Sequence, residues 1–216
     1  MSACPYQAAL SARLGKSADS AHDLAHVRRV WANCRAIVKG ESGDKSAPVD
    51  LELLYAAAMF HDLVNLPKNA ANRAEASRLS AEAAAPLARA CGLPEAKLPA
   101  LKHAIIAHSF SAQVAPRTRE AQILQDADRL DALGAIGLAR MLMVSGALNR
   151  PLYEPVDPLA QYRPPDDSAF ALDHFQTKLF TLAGTLHTPT ARQIATERTD
   201  YMRAFLTRLQ SEIRED

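Results

Sequence analysis

Residues 51–63 read LELLYAAAMFHDL. Asp50, just before them, is a residue type that caps helices, since its carboxylate accepts from the first free backbone N–H groups. Apolar side chains then fall on nearly every face, the pattern of a central helix enclosed by others. The run ends in His61 and Asp62, which share a helix face with Leu54 and Ala58 by their spacing of four, seven and eight residues from Leu54. A buried imidazole and carboxylate need partners, because unpaired charge in an apolar interior is expensive. A divalent cation satisfies both at once, whereas capping by water or backbone satisfies them without a metal.

Outward from this run, apolar residues recur every three or four positions and alternating strand-like runs are nearly absent, which predicts an all-α chain. Upstream, Asp19 or Ser20 is placed to cap a helix to about Lys39, with Val27, Val30, Trp31, Cys34 and Val38 as its apolar stripe. Downstream, helices are expected over about 74–91, closed by Gly92 and Pro94, then over 97–108 and 119–133. Gly134 and Gly137 are placed to bend or break the last of these before another helix over 135–144. Residues 146–167 carry five of the thirteen prolines and two tyrosines, a long connection of the kind that is either functional or a passive surface loop. Two C-terminal helices follow, over about 168–186 and 189–213, with Pro189 suited to a first turn. One domain spanning 1–216 is expected, with a helical core over about 19–145 and the C-terminal helices over 168–213.

Composition narrows the chemistry. The 25 basic and 24 acidic residues leave a net charge of +1, no footprint for nucleic acid. A cleft for a small anion needs only a few cations. Cys4, Cys34 and Cys91 form neither a disulfide framework nor a zinc pattern, and no run has the length of a membrane span. The expectation is a cytoplasmic protein with no membrane partner.

Further candidate ligands lie at some distance in sequence. His26 sits at the border of its helix's stripe, with His22 one turn earlier and further toward solvent. In ILQDADRLDALGAIG, Asp128 and Asp131 stand three apart on one helix face, while Asp126 points away. Two adjacent carboxylates repel unless a cation or a proton compensates. Arg129 would do so structurally; a metal on Asp128, with Asp131 orienting water or ligand, would do so functionally.

In order and spacing, His26 in AHDLAHVRRVW, His61 and Asp62 in AMFHDLVNLPK and Asp128 in QDADRLDALGAIGLAR resemble the HD-domain superfamily of metal-dependent phosphohydrolases. KHAIIAHSFS and DHFQTKLFTL extend the likeness to a branch of small bacterial HD phosphohydrolases, from about Ala21 to the C-terminus. The resemblance implies one divalent ion (manganese, magnesium, nickel or iron) held by those four residues. It also implies phosphohydrolase activity on a small phosphorylated substrate such as a nucleoside triphosphate. One departure matters: HD nucleotidases that act on monophosphates often carry HDxxE, whereas this chain has Asn65 in the glutamate's place. Asparagine cannot relay a proton, so Asp131 and Lys68 become the substitute catalytic candidates; His108 is a further one, as donor to a phosphate or leaving oxygen, and Lys68, His108, Ser109 and Lys178 are the expected substrate contacts. The alternatives are a phosphodiesterase or metabolite phosphatase, an iron-dependent HD-fold oxygenase, and a nucleotide-binding module without turnover.

Overall fold

The structure, a computed structural model, describes residues 5–14, 24–43, 48–64, 66 and 72–213. Among them every regular element is helical, so the chain is all-α. No single described helix is long and apolar enough to cross a membrane. The chain divides into two compact units, Met1–Asp128 and Arg129–Asp216.

The first unit is built around α3 (Leu51–Phe60), the helix of the LELLYAAAMF run. Asp50 caps it through the Leu53 N–H at 3.1 Å, and Leu54, Ala56, Ala57, Ala58 and Phe60 are wholly enclosed. The alanines let α1 (Pro5–Leu14), α2 (Leu24–Gly40), α4 (Ala76–Ala90) and α5 (Leu98–His108) pack closely on it. The helix α1 is an element the sequence pattern leaves unannounced. Its local signals are Pro5 at the first position and the four-residue spacing of Tyr6 and Leu10. The Tyr6 ring meets Tyr55 and Phe60 edge-on. On α2 the buried face is His26, Val27, Val30, Asn33, Cys34 and Ile37. It is turned from the expected stripe: Trp31 and Val38 are only half-buried, and Ile37 takes the enclosed place.

The division of units falls inside α6 (Arg119–Asp131). In the second unit, α7 (Gly134–Ala147) begins at the first glycine of the DALGAIG stretch and contains the second, Gly137. Gly134 has φ +73°, and a Cβ on Gly137 would stand 2.1 Å from the Ala132 carbonyl oxygen, so neither tolerates a side chain. The region of the first expected C-terminal helix is helical in short pieces: a π-helical turn (Phe175–Leu179), a single α-turn, α8 (Phe180–Leu182), and a 3₁₀ turn (Ala183–Thr185). The last helix, α9 (Pro189–Ile213), packs on α7 and begins with Pro189 as expected.

Candidate metal centre

Four helices of the first unit bring their polar side chains to one place. His26 comes from the first turn of α2, and His61 and Asp62 from the end of α3. His108 closes α5, and Asp128 lies near the end of α6. The Nε2 atoms of His26 and His61 face each other at 3.2 Å. Around them, Asp62 Oδ2 lies 3.8 Å from His26 and 3.6 Å from His61, and Asp128 Oδ1 lies 3.4 Å from His26. His108 Nε2 stands 3.4 Å from the other Asp62 oxygen. The histidines form the enclosed floor, at 0–1 % exposure for His61 and His26, and the carboxylates form the open side at 21 % and 31 %.

The backbone decides which ring nitrogens are left for chemistry. A carbonyl only accepts, so His61 Nδ1–H donates to the Ala58 oxygen at 2.8 Å, and His108 Nδ1–H donates to the Ile105 oxygen. Both bonds reach back three residues within the histidine's own helix. Each therefore turns its Nε2 into the cluster. Burial pushes the His61 imidazole down to about 4, against the pull of Asp62, so the ring stays neutral well into the acid range. For His108 burial also opposes the charge, but the hydrogen bond to Asp62 and the charges of Asp62 and Asp128 outweigh it, and its pKa is raised. Burial, then Asp128 and Asp126, push the nearby Cys34 thiol up, so it stays protonated.

The donor set fits a divalent ion. Nε2 atoms of two buried imidazoles converge with carboxylate oxygens, and His26, His61 and Asp62 each offer one atom within 4.8 Å of the others. Separations of 3.2–3.8 Å are close to the edge, roughly 3–3.4 Å, between neighbouring ligands on an ion with bonds of about 2.0–2.2 Å. His26, His61 and Asp62 would hold the ion, and Asp128 stands beside His26. Imidazole and carboxylate together suit first-row metals rather than calcium.

The HD-domain family model matches residues 23–133, a span that contains His26, His61, Asp62, His108 and Asp128. The chain belongs to the HD-domain family. A relative from Bacillus subtilis (strain 168), the uncharacterized protein YpgQ, is 33 % identical over 198 residues, covering 90 % of this chain and 85 % of its own. The crystal structure of B. subtilis YpgQ in complex with ADP superposes with a TM-score of 0.72 at 28 % identity, covering 96 % of this chain and 92 % of that one. An HD-superfamily hydrolase from Bacillus thuringiensis superposes with a TM-score of 0.70 at 28 % identity, covering 96 % and 94 %. The fold of this HD domain is thus that of the HD-superfamily hydrolases.

The other expected site residues fall in different surroundings. Ser109 caps α5, half-buried, with its hydroxyl 3.0 Å from that of Ser111. Lys68 and Asn65 lie outside the described residues, as do His22 and the Asp19 and Ser20 caps. Asp131 belongs to the second unit, where its buried carboxylate meets Arg140 at 2.6 Å. The compensating arginine is thus Arg140, nine residues on, and Arg129 instead donates to the Thr185 carbonyl. Lys178, also in the second unit, is exposed on the π-helical turn. His174 pairs with Asp167 at 2.6 Å. His26, expected at the edge of its stripe, is enclosed.

Two residues escaped the sequence reading altogether. Asn33 and Gln125 are buried amides, at 7 % and 4 % exposure, bonded to the backbone of neighbouring helices. A signal existed for Asn33: it lies seven residues after His26, on the same helix face.

Proposed function

We propose that this HD domain is a divalent-metal-dependent phosphohydrolase acting on a nucleotide, with release of pyrophosphate from a nucleoside or deoxynucleoside triphosphate as the reaction to test first. The observation that carries the reading is the meeting of Asp62 with the enclosed His26 and His61, with Asp128 and His108 beside them. The binding of ADP by the related B. subtilis protein supports a nucleotide as the ligand. A bound ion would activate a water and neutralise charge on the phosphoryl oxygens.

The protein's own groups then position and exchange protons. With Nδ1 held by the Ile105 carbonyl, His108 carries its mobile proton on Nε2, on the Asp62 side of the cluster. Beside Asp62 at the edge of the cluster, His108 is the proposed donor to the leaving oxygen. The adjacent Ser109 hydroxyl and Lys68 are proposed phosphate contacts, the latter on its charge. Asp131, held by Arg140, is left out of the proton relay.

The test is phosphate and pyrophosphate release from a nucleotide panel by metal-stripped protein. Manganese, magnesium, nickel or nothing is added back, and His61→Ala serves as control. Metal-dependent pyrophosphate release absent in His61→Ala is expected. Release of single phosphates, or turnover only of diesters, would move the reading to a phosphatase or phosphodiesterase. Release that persists without metal or in His61→Ala would overturn it.

A further inference from the structure

Two hydrogen bonds in the first unit share an arrangement that neither helix alone requires. Asn33 Nδ2 on α2 donates to the Ala127 carbonyl of α6 at 3.0 Å. Gln125 Nε2 on α6 donates to the Ala107 carbonyl of α5 at 2.5 Å. Each accepting carbonyl belongs to the residue just before a side chain of the cluster: Ala127 precedes Asp128, and Ala107 precedes His108. The donors are placed with the same economy. Asn33 stands two turns from His26 on one face of α2, and Gln125 stands one turn before Asp128 on α6.

The surroundings explain why such bonds would matter. On the same helices Val30, Cys34 and Ile37 of α2, Ala121, Leu124 and Ala127 of α6, and Ala104 of α5 are all wholly enclosed. Contacts among small apolar groups are non-directional and hold a helix in place without fixing its rotation or its slide. A buried amide donor is directional, and leaving it unmatched costs about 1–3 kcal/mol. Each bond therefore ties one helix to its neighbour in a single register. The Ala107 carbonyl lies in the last turn of α5, where the helix supplies no N–H four residues on, so Gln125 also satisfies a helix-end acceptor.

We propose that Asn33 and Gln125 are positioning residues of the metal centre: by tying α6 to α2 and to α5, they hold Asp128 against His26 and set His108 beside them. The proposal rests on the metal-centre reading above. It assigns neither residue a contact with metal or substrate. Asn33 and Gln125 act through the backbone of Asp128 and His108.

The test is manganese(II) affinity of the metal-stripped full chain, by calorimetry and by the manganese electron paramagnetic resonance spectrum, with unfolding midpoints recorded in parallel. Asn33→Leu and Gln125→Met keep size and remove the donor. Ile37→Val, one turn beyond Asn33 on α2, is a purely packing control. Loss of an outer partner of a metal ligand typically weakens affinity about tenfold to a hundredfold, and that is the loss expected for both amide variants, with broadened manganese lines. Ile37→Val should bind manganese as the unaltered protein does. Variants that bind like the unaltered protein, or that weaken no more than Ile37→Val at equal loss of stability, would overturn the positioning role alone. Absence of manganese binding by the unaltered protein would overturn the metal reading and this one together. Should Asn33→Leu fail to fold, Gln125→Met decides on the α5 side.

Discussion

In the first unit, His61 and His108 each commit one ring nitrogen to a carbonyl of their own helix, and the other nitrogen turns toward carboxylates that are partly open to solvent. In the second unit, the proline-rich stretch uses its carboxylates differently. Asp157 accepts from the backbone N–H groups of Gln161, Tyr162 and Arg163 at 2.7–3.1 Å. Asp173 takes both ends of the Arg163 guanidinium, at 2.5 and 2.8 Å, and the Asp166 N–H at 2.6 Å. The chain closes on itself further through Ala171 N–H to the Pro151 carbonyl and Leu172 N–H to that of Leu152. Both regions gather polar side chains in a small space. One draws imidazole nitrogens and carboxylate oxygens from four helices to a common point, and the other ties its carboxylates to its own backbone and to Arg163. The first arrangement reads as a site, and the second as scaffold.

Breaking the contrast at its strongest point means removing a carboxylate from the cluster. Asp128→Ala should lower manganese affinity by more than the roughly hundredfold that an outer partner is worth, and abolish hydrolysis, while circular dichroism keeps its helical signal. A variant with full activity would remove Asp128 from the centre. The reverse is expected of Asp173→Asn. Its carboxylate is wholly enclosed opposite Arg163, so its loss should lower unfolding stability in urea by about 2–4 kcal/mol. Manganese affinity should stay as it was. Weakened metal binding at unchanged stability would show that the proline-rich stretch serves the site.

The smallest effect concerns pH in the metal-free protein, and two histidines set its sign. His61 is depressed to about 4 from 6.5, so below pH 6.5 the unfolded chain takes up a proton that the folded one refuses. Stability is lost as pH falls from 6.5 toward 4. The His108 pKa is raised above 6.5; its contribution is fully present below 6.5 and fades as pH rises through its folded value. Unfolding midpoints of the stripped protein should therefore peak near pH 6.5, with slopes no steeper than about 1.4 kcal/mol per pH unit for each group. His61→Gln should flatten the acid limb and spare the alkaline one. An acid limb unchanged in His61→Gln would assign it to other groups.

Much of this was legible before any coordinates. Periodicity marked the run of helices from α2 to α7, and capping or breaking residues marked several ends, because such signals are local: Asp50 before α3, Gly92 after α4, Gly134 at the start of α7. Contacts between distant parts of the chain were not. The buried face of α2 turned out to be centred on Val30, Cys34 and Ile37, since the apolar stripe alone is wide enough to seat two ways. The partner of Asp131 proved to be Arg140 across the break into α7, where the adjacent Arg129 had been the nearer choice in sequence. The π-helical turn at Phe175–Leu179 is invisible to a search for a 3.6-residue repeat.

Residue order thus determined on its own that the chain is helical, where its central helix lies and which residue types hold its polar end, since burying a histidine and an aspartate on an apolar helix demands compensation wherever the helix packs. Tertiary structure alone decided that His108 joins His26, His61 and Asp62, and that the buried amides Asn33 and Gln125 bridge α6 to its neighbours. It also decided which carboxylates remain open to a ligand. Those outcomes depend on distances between side chains from four different helices, and helical periodicity carries no information across the turns that separate them.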